Sequence, residues 1–279
     1  MDLTGLPPSS WAYRVDSPDL DALSDALDIA GITCDGLTEQ DGVSTAWFST
    51  RPDPSATPPM PLDGRWEEVP TTDWSESWKD GLDPITVGAL TILPPWLAPD
   101  GPQLDQPPYR IVIEPGMAFG TGHHETTTAV LRAMQDVELA DRRVADIGTG
   151  TGVLALAAIA LGAREVIAVD VDELAITVAT ENIATHGTTD RIDLRVGSCE
   201  AVDGTADLVI ANIITDKLLA IAGDLVALVA PGGTLLCSGV AVDRSDEARS
   251  VFADAGMEPL VTPGREWSVL IARRPVEGR

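Results

Sequence analysis

Val144–Gly152, VADIGTGTG, is the stretch around which the rest of the chain is organised. Val144, Ala145 and Ile147 close a short apolar strand, Gly148, Gly150 and Gly152 alternate with threonines, and the apolar helix pattern VLALAAIA starts at Val153. A strand running through a glycine turn into a helix brings bare backbone N–H groups and a helix N-terminus against a ligand, because glycine removes the side chains that block close approach. The expected ligand is a nucleotide or nucleoside.

Spacing separates these. The dinucleotide fingerprint requires its third glycine three positions after the second, and Val153 holds that place, which weakens a pyrophosphate reading. The strand Glu165–Val169 ends in Asp170, 22 residues after Gly148, where a carboxylate can accept hydrogen bonds from both hydroxyls of a ribose. With Asp146 two residues ahead of the first glycine, the G-x-G-x-G turn and the later acid resemble the first two motifs of S-adenosylmethionine-dependent methyltransferases. A nicotinamide-dependent hydride-transfer enzyme on a Rossmann sheet is the competing reading.

Composition bounds the rest. At 279 residues with 44% hydrophobic residues, the chain can hold one large domain plus a small one, each with a core. MDLTGLPPSS lacks the basic and apolar regions of a signal peptide and no apolar run is long enough to span a bilayer, so a cytoplasmic location is expected. Cys34, Cys199 and Cys237 are odd in number and too far apart for a Cys-x-x-Cys pattern, which fits reduced packing cysteines and no metal. A net charge of −26, with Lys79 and Lys217 the only lysines, disfavours direct binding to nucleic acid. It leaves open a basic partner or a generally acidic surface. Residues 1–80 carry 16 acids against 4 bases, a density that favours the basic partner at that end.

Trp11–Val15 reads as a strand, Ser17 and Pro18 as a helix start, Leu20–Ile29 as a helix stopped by Gly31, and Val43–Phe48 as a strand. Residues 1–50 are therefore expected to form a small α/β module for substrate recognition. Residues 51–100 are read as a linker: Arg51–Gly64 carries five prolines, and Trp74 and Trp78, four apart, share one face of a short helix that would wedge between domains. Residues 101–279 are read as the catalytic domain. Glu114–Val130 adds a second glycine turn and a helix whose first turn carries His123, His124, Glu125, Thr126 and Thr127. Adjacent side chains on a helix diverge, so a metal reading of His-His-Glu is poor, and phosphate binding by the glycine turn competes better. Beyond Asp170 come a helix Glu173–His186, strands Asp193–Val196 and Asp207–Ala211, a helix Lys217–Val229, a strand Thr234–Ser238, a helix Ser245–Ala255, and strands Glu258–Thr262 and Trp267–Ala272 joined by Pro263 and Gly264. The alternation predicts a doubly wound α/β sheet ending in an antiparallel hairpin, a Rossmann-like class I methyltransferase architecture.

Ligands of such sheets sit at the carboxyl ends of the strands, which selects Gly148, Asp170, Ser198 and Asn212. Methyltransferases acting on nucleobase or amide nitrogens have a tetrapeptide similar to Asn-Pro-Pro-Tyr, whose ring stacks on the planar substrate. Here it is Asn212-Ile213-Ile214-Thr215, without a ring, which favours an aliphatic amine; a helix-cap role for Asn212 is the alternative.

Taken together, the Trp74, Trp78 and Trp96 segment, AFGTGHHETT over residues 118–127, VADIGTGTG, Asp170, ANII at Asn212, and Glu266 with Trp267 follow one family's order and spacing. From about residue 65 onward the chain resembles the bacterial methyltransferases of ribosomal protein eleven of the large subunit, the PrmA type. The resemblance implies S-adenosylmethionine bound by Thr127, Gly148, Asp170 and Asn212 with Phe119 nearby, Gly150 and Ser198 lying in the same turn and strand-end positions. It further implies lysine ε-amines and an N-terminal α-amine of that ribosomal protein as acceptors. An amine attacks the sulfonium methyl only when neutral, although a free lysine has a pKa of about 10.4. Desolvation beside a positive sulfonium favours the neutral form without a dedicated base. Asn212 and the backbone carbonyl beside it are thus assigned to orienting the amine, no residue to general base catalysis, and His124 to helix packing, with a proton-acceptor role as the alternative. Two further readings are a lysine methyltransferase acting on another protein, such as an electron-transfer flavoprotein subunit, and a cofactor-binding ribosome assembly factor that does not turn over.

Overall fold

The computed structural model describes residues 9–16, 22–24, 26–27, 31–40, 42–52, 62–70, 83–115 and 124–276. The helix start at Ser17, the Trp74 and Trp78 pair, Phe119 and His123 lie outside these residues. The chain divides into two compact units, 1–82 and 83–279.

In the first unit β1 (Ser9–Val15), β2 (Gly36–Gln40), β3 (Val43–Phe48) and β4 (Arg65–Pro70) form a four-stranded sheet in the order β2-β3-β1-β4, every pair antiparallel. Alternation sends Tyr13 and Val15 to one face, and the cross-strand partners of Tyr13 are Ala46 and Trp66. The Trp66 ring lies 5.0 Å from Tyr13 and 5.1 Å from Phe48. Leu23 and Leu27, four apart in a helical stretch, are buried in the same cluster. The sequence reading did not anticipate β2 or β4. The second of these moves the boundary expected at residue 50: after the proline segment the chain returns to pair β4 with β1 over Ser9–Arg14, so residues 65–70 belong to the small unit.

The second unit begins with a three-stranded sheet of β5 (Ile85–Val87), β6 (Leu90–Leu93) and β7 (Tyr109–Val112), with β5-β6 antiparallel and β6-β7 parallel. A domain start at 101 would cut β6 from β7. Val87, Leu90, Ile92 and Ile111 pack into the same core as the helix after the glycine turn, which places residues 83–100 within the large unit.

Its main sheet has seven strands: β8 (Arg143–Ile147), β9 (Glu165–Asp170), β10 (Ile192–Val196), β11 (Ala206–Asn212), β12 (Val229–Ala241), β13 (Leu260–Pro263) and β14 (Trp267–Arg273), ordered β10-β9-β8-β11-β12-β14-β13. The first five are parallel, and β14 lies antiparallel between β12 and β13. This is the doubly wound sheet with a terminal hairpin expected for a class I methyltransferase. Among the described residues six helices accompany it: α1 (Glu125–Met134), α2 (Val153–Ala160), α3 (Glu173–Thr185), α4 (Thr215–Ala220), α5 (Ala222–Leu228) and α6 (Ser245–Asp254). The single helix expected over 217–229 is two, because Ile221 leaves the helical region at φ −109°, ψ 13°. All eight residues of α2 are buried, as an apolar run without a polar face demands. Alternation along β8 feeds Val144 to the core containing α2, and Ala145 and Ile147 to the core of α4, α5 and α6. Two apolar layers therefore clamp the sheet and fix the height at which the glycine turn emerges. Among the described residues no helix is long and apolar enough to cross a membrane.

Candidate active site

Gly148, Gly150 and Gly152 all adopt left-handed backbone, with φ of 76°, 56° and 82°. That conformation strains any residue with a Cβ, so the alternating glycines are a backbone requirement. The expectation of bare N–H groups is corrected. Those of Gly148 and Thr149 donate to the Val169 carbonyl at 2.8 and 3.0 Å, that of Gly150 to Asp170 Oδ2 at 2.9 Å, and that of Gly152 to the Thr149 carbonyl at 2.9 Å. The turn folds onto the end of β9 and spends three of these four donors there. A phosphate nest needs those donors, so the geometry disfavours a pyrophosphate ligand.

What the turn offers is carboxylate. Asp170 takes Gly150 N–H on one oxygen and Asp172 N–H, at 3.1 Å, on the other. A carboxylate has about four acceptor positions, so each oxygen keeps capacity for a ribose hydroxyl. Asp146 is fully buried at the end of β8; Oδ2 accepts from the Thr149 hydroxyl at 2.7 Å, and Oδ1 has no partner. Burial pushes the Asp146 carboxyl up to about 7; the Thr149 hydroxyl opposes the shift, the charge of Asp170 adds to it, and the Ala155 N–H opposes it. That oxygen has no exposed surface, so Asp146 lies out of a ligand's reach, and the acid that faces one is Asp170. A ribose diol is present in S-adenosylmethionine, and Asp170 fits it.

The other half of the site is built on β11, α1 and the terminal hairpin. Ala211 pairs with Ile147, so Asn212 emerges beside Gly148. Asn212, 9% exposed, donates from Nδ2 to the Thr127 hydroxyl at 3.3 Å, which leaves its carboxamide oxygen as the group suited to accept from an amine. Asn212 is not a cap of α4, whose N-cap is Ile214 with no side-chain bond. Ile213 ties the two halves together: a Cβ on Gly148 would lie 2.5 Å from Ile213 Cγ2, and one on Gly239, at φ 85°, would overlap the Ile213 carbonyl oxygen. The buried Thr215 hydroxyl donates to Gly239 O at 3.0 Å and accepts from Ala241 N at 3.1 Å, latching the Asn-Ile-Ile segment to the end of β12.

The His-Glu-Thr-Thr run has a structural explanation. His124 is the N-cap of α1, its Nδ1 accepting from Thr126 N at 3.3 Å, and its ring lies 5.9 Å from Trp267. Glu125 accepts from the Arg265 and Glu266 N–H groups at 2.5 and 3.3 Å, so it holds the β13-β14 turn. Ser198, at the end of β10, donates its N–H to Glu200 at 2.9 Å and starts a short 3-10 turn, Cys199–Ala201. Of the expected site residues, then, Gly148, Gly150 and Asp170 meet on one side and Thr127 with Asn212 on the other; Phe119 falls outside the described residues. The sequence reading missed the wedge of Ile213, the latch of Thr215 and the tie made by Glu125. Only the position of Gly239, inside the buried run of β12, hints at a close backbone approach.

Comparison with known proteins agrees with this architecture. The family model "Ribosomal protein L11 methyltransferase (PrmA)" matches residues 49–275. The ribosomal protein L11 methyltransferase of Thermus thermophilus is 36% identical over 265 residues, covering 93% of this chain and 98% of its own. That of Pelobacter propionicus is 39% identical over 217 residues, covering 74% of this chain and 68% of its own. The crystal structure of ribosomal protein L11 methylase from Lactobacillus delbrueckii subsp. bulgaricus superposes with a TM-score of 0.62 at 31% identity, covering 69% of this chain and 98% of that one. With a class I methyltransferase sheet, a glycine turn with two acids and an asparagine at the adjacent strand end, this chain belongs to the ribosomal protein L11 methyltransferase family of S-adenosylmethionine-dependent protein methyltransferases.

Proposed function

We propose that this protein transfers methyl groups from S-adenosylmethionine to lysine ε-amines and the N-terminal α-amine of ribosomal protein L11 in the cytoplasm. The observation that carries the reading is the juxtaposition of the Asp146–Asp170 turn with Asn212 across the β8-β11 pair, bridged by Ile213. It sets a donor-binding carboxylate and an amine-orienting carboxamide at neighbouring strand ends. In this reading Asp170 holds the ribose, Asp146 braces the turn from beneath through the Thr149 hydroxyl, Gly148 and Gly150 admit the donor where a Cβ would block it, and Thr127 fixes the Asn212 amide. Ser198, at the neighbouring strand end, and Phe119 complete the donor side. The bound donor supplies an electrophilic methyl on a sulfonium.

The chain's own residues do the remainder. The Asn212 carboxamide oxygen accepts an N–H of the neutral acceptor amine and so directs its lone pair, which is a gain in alignment. The buried Thr127 and Thr215 and the partly buried Ile213 exclude water and so disfavour the ammonium form. The four-stranded unit, dense in acid, recognises the basic ribosomal protein and needs no contact with nucleic acid. The test is incubation with tritiated S-adenosylmethionine and the ribosomal proteins of the same cell, followed by mapping of the label. Label on lysine and the α-amine of L11 is expected; label on another protein, or none with a bound donor, refutes the reading.

A further inference from the structure

The inward face of α3 carries Ala175, Ala179, Asn182 and Ile183, and one helical turn on lies His186. An amide in that row is anomalous. Burying one without hydrogen bonds costs several kcal/mol, and Asn182 is 3% exposed. Both of its polar atoms are engaged, and both on distant backbone. Oδ1 accepts from Glu114 N at 3.2 Å, and Nδ2 donates to the Thr151 carbonyl at 2.9 Å. His186 works beside it: Nδ1 donates to Asn182 O at 2.6 Å, which fixes the tautomer, and Nε2 accepts from Val112 N at 3.0 Å. Ile113 N points the other way, to Leu93 of β6. The N–H groups of Val112 and Glu114 therefore face the open edge of the small sheet, and α3 closes that edge with two side chains.

Edge closure accounts for the acceptors, Nε2 of His186 and Oδ1 of Asn182. It does not account for Nδ2 reaching into the glycine turn. Thr151 stands between Gly150 and Gly152, at φ 56° and 82°. A peptide flanked by glycines rotates at little cost, and the bonds to Val169, Asp170 and Thr149 hold the N–H groups of residues 148, 149, 150 and 152, not this carbonyl. The Thr151 carbonyl, which sets the peptide entering α2, is held by Asn182. We propose that Asn182 is a positioning residue of the methyl-donor site: one buried amide orients the Thr151 carbonyl of the glycine turn and ties it to the exit of β7.

The inference rests on the donor reading above, and the experiment separates the two. S-adenosylmethionine affinity is measured by calorimetry for the parent and Asn182→Asp between pH 6 and 8.5. The substitution keeps the acceptor for Glu114 N–H. Ionised, the new carboxylate has no donor for the Thr151 carbonyl; protonated, its O–H restores one. The variant should bind about tenfold more weakly than the parent at pH 8.5 and within about twofold at pH 6. Asp146 and His186 titrate in the parent as well, so the parent measured at the same pH values is the reference. A residue that merely supports the fold would lower the melting temperature without a ratio that depends on pH. A parent that binds donor alongside a folded variant with a constant ratio near one overturns the positioning role, whereas a parent without donor affinity overturns the functional reading and the inference with it. If Asn182→Asp does not fold, hydrogen exchange in the parent decides: saturating donor should slow exchange of the Glu114 amide, and an unchanged rate refutes the tie.

Discussion

Replacing Asp146 by asparagine tests the electrostatics of the donor turn. The carboxyl is fully buried and held up at about 7 from an ordinary 3.8. A shift of about 3 units is worth about 4 kcal/mol in favour of the neutral form. The native state thus binds more protons than the unfolded chain between pH 3.8 and 7, and folding stability falls as pH rises through that window. The loss is complete above the folded value. Asp146→Asn keeps the acceptor for the Thr149 hydroxyl and does not titrate. Its unpartnered amide costs about 1–3 kcal/mol at every pH, so the pH dependence, not the offset, is diagnostic. Between pH 5 and 8 the variant should gain about 3 kcal/mol on the parent, the portion of the shift lying above pH 5. Urea unfolding of both proteins at half-unit intervals measures this. Parallel stability curves would show that the carboxyl is ionised and solvated in the fold, and the argument would fail.

Asp170→Ala should weaken donor binding by about 2–3 kcal/mol with the fold retained, since the ribose and the Gly150 N–H both lose a charged acceptor; unchanged calorimetry in a folded variant sinks the assignment. Asn212→Ala should slow single-turnover methylation by more than it weakens donor binding, because its work is done on the attacking amine, and a rate equal to the parent's would leave Asn212 a donor contact only. Gly239→Ala should lower turnover and cost about 1–3 kcal/mol of stability, as a Cβ at φ 85° displaces the Ile213 carbonyl; normal turnover in thermal and kinetic assays would show that the Ile213 wedge is not needed. A chain beginning at Asp83 retains both sheets of the second unit and should bind donor yet fail on ribosomal protein L11. With the whole chain, added salt should slow association with the basic protein far more than it alters donor affinity, and equal methylation rates for the two chains would place recognition in the second unit.

The main sheet was legible because its signals are local. Strand, glycine turn and helix follow one another within residues 143–160, and the later strands contain short apolar runs bounded by polar or glycine residues, so period and punctuation sufficed for the succession of elements and for the terminal hairpin. Gly148, Asp170 and Asn212 could be placed at the strand ends from the sequence because a doubly wound sheet forces strand ends to one edge. The absence of a ring after Asn212 likewise spoke for an aliphatic acceptor before any geometry was known.

What escaped the sequence was pairing across distance and the fate of each polar atom. β4 looked like linker because its partner β1 lies some 55 residues earlier, and Leu90–Leu93 looked like linker until β7 paired with it. Nothing in GTGTG says that its N–H groups are consumed by Val169 and Asp170; that follows from the turn folding back onto β9. Asn182 reads as an ordinary polar residue of an amphipathic helix, and Glu125 as part of a metal-like cluster, until tertiary contact gives one to Thr151 and the other to the hairpin turn. Backbone conformation and apolar period are properties of neighbouring residues and so are written in the sequence. Desolvation, the Asp146 titration it causes, and hydrogen bonds between segments depend on which surfaces meet, and the tertiary structure alone decided those.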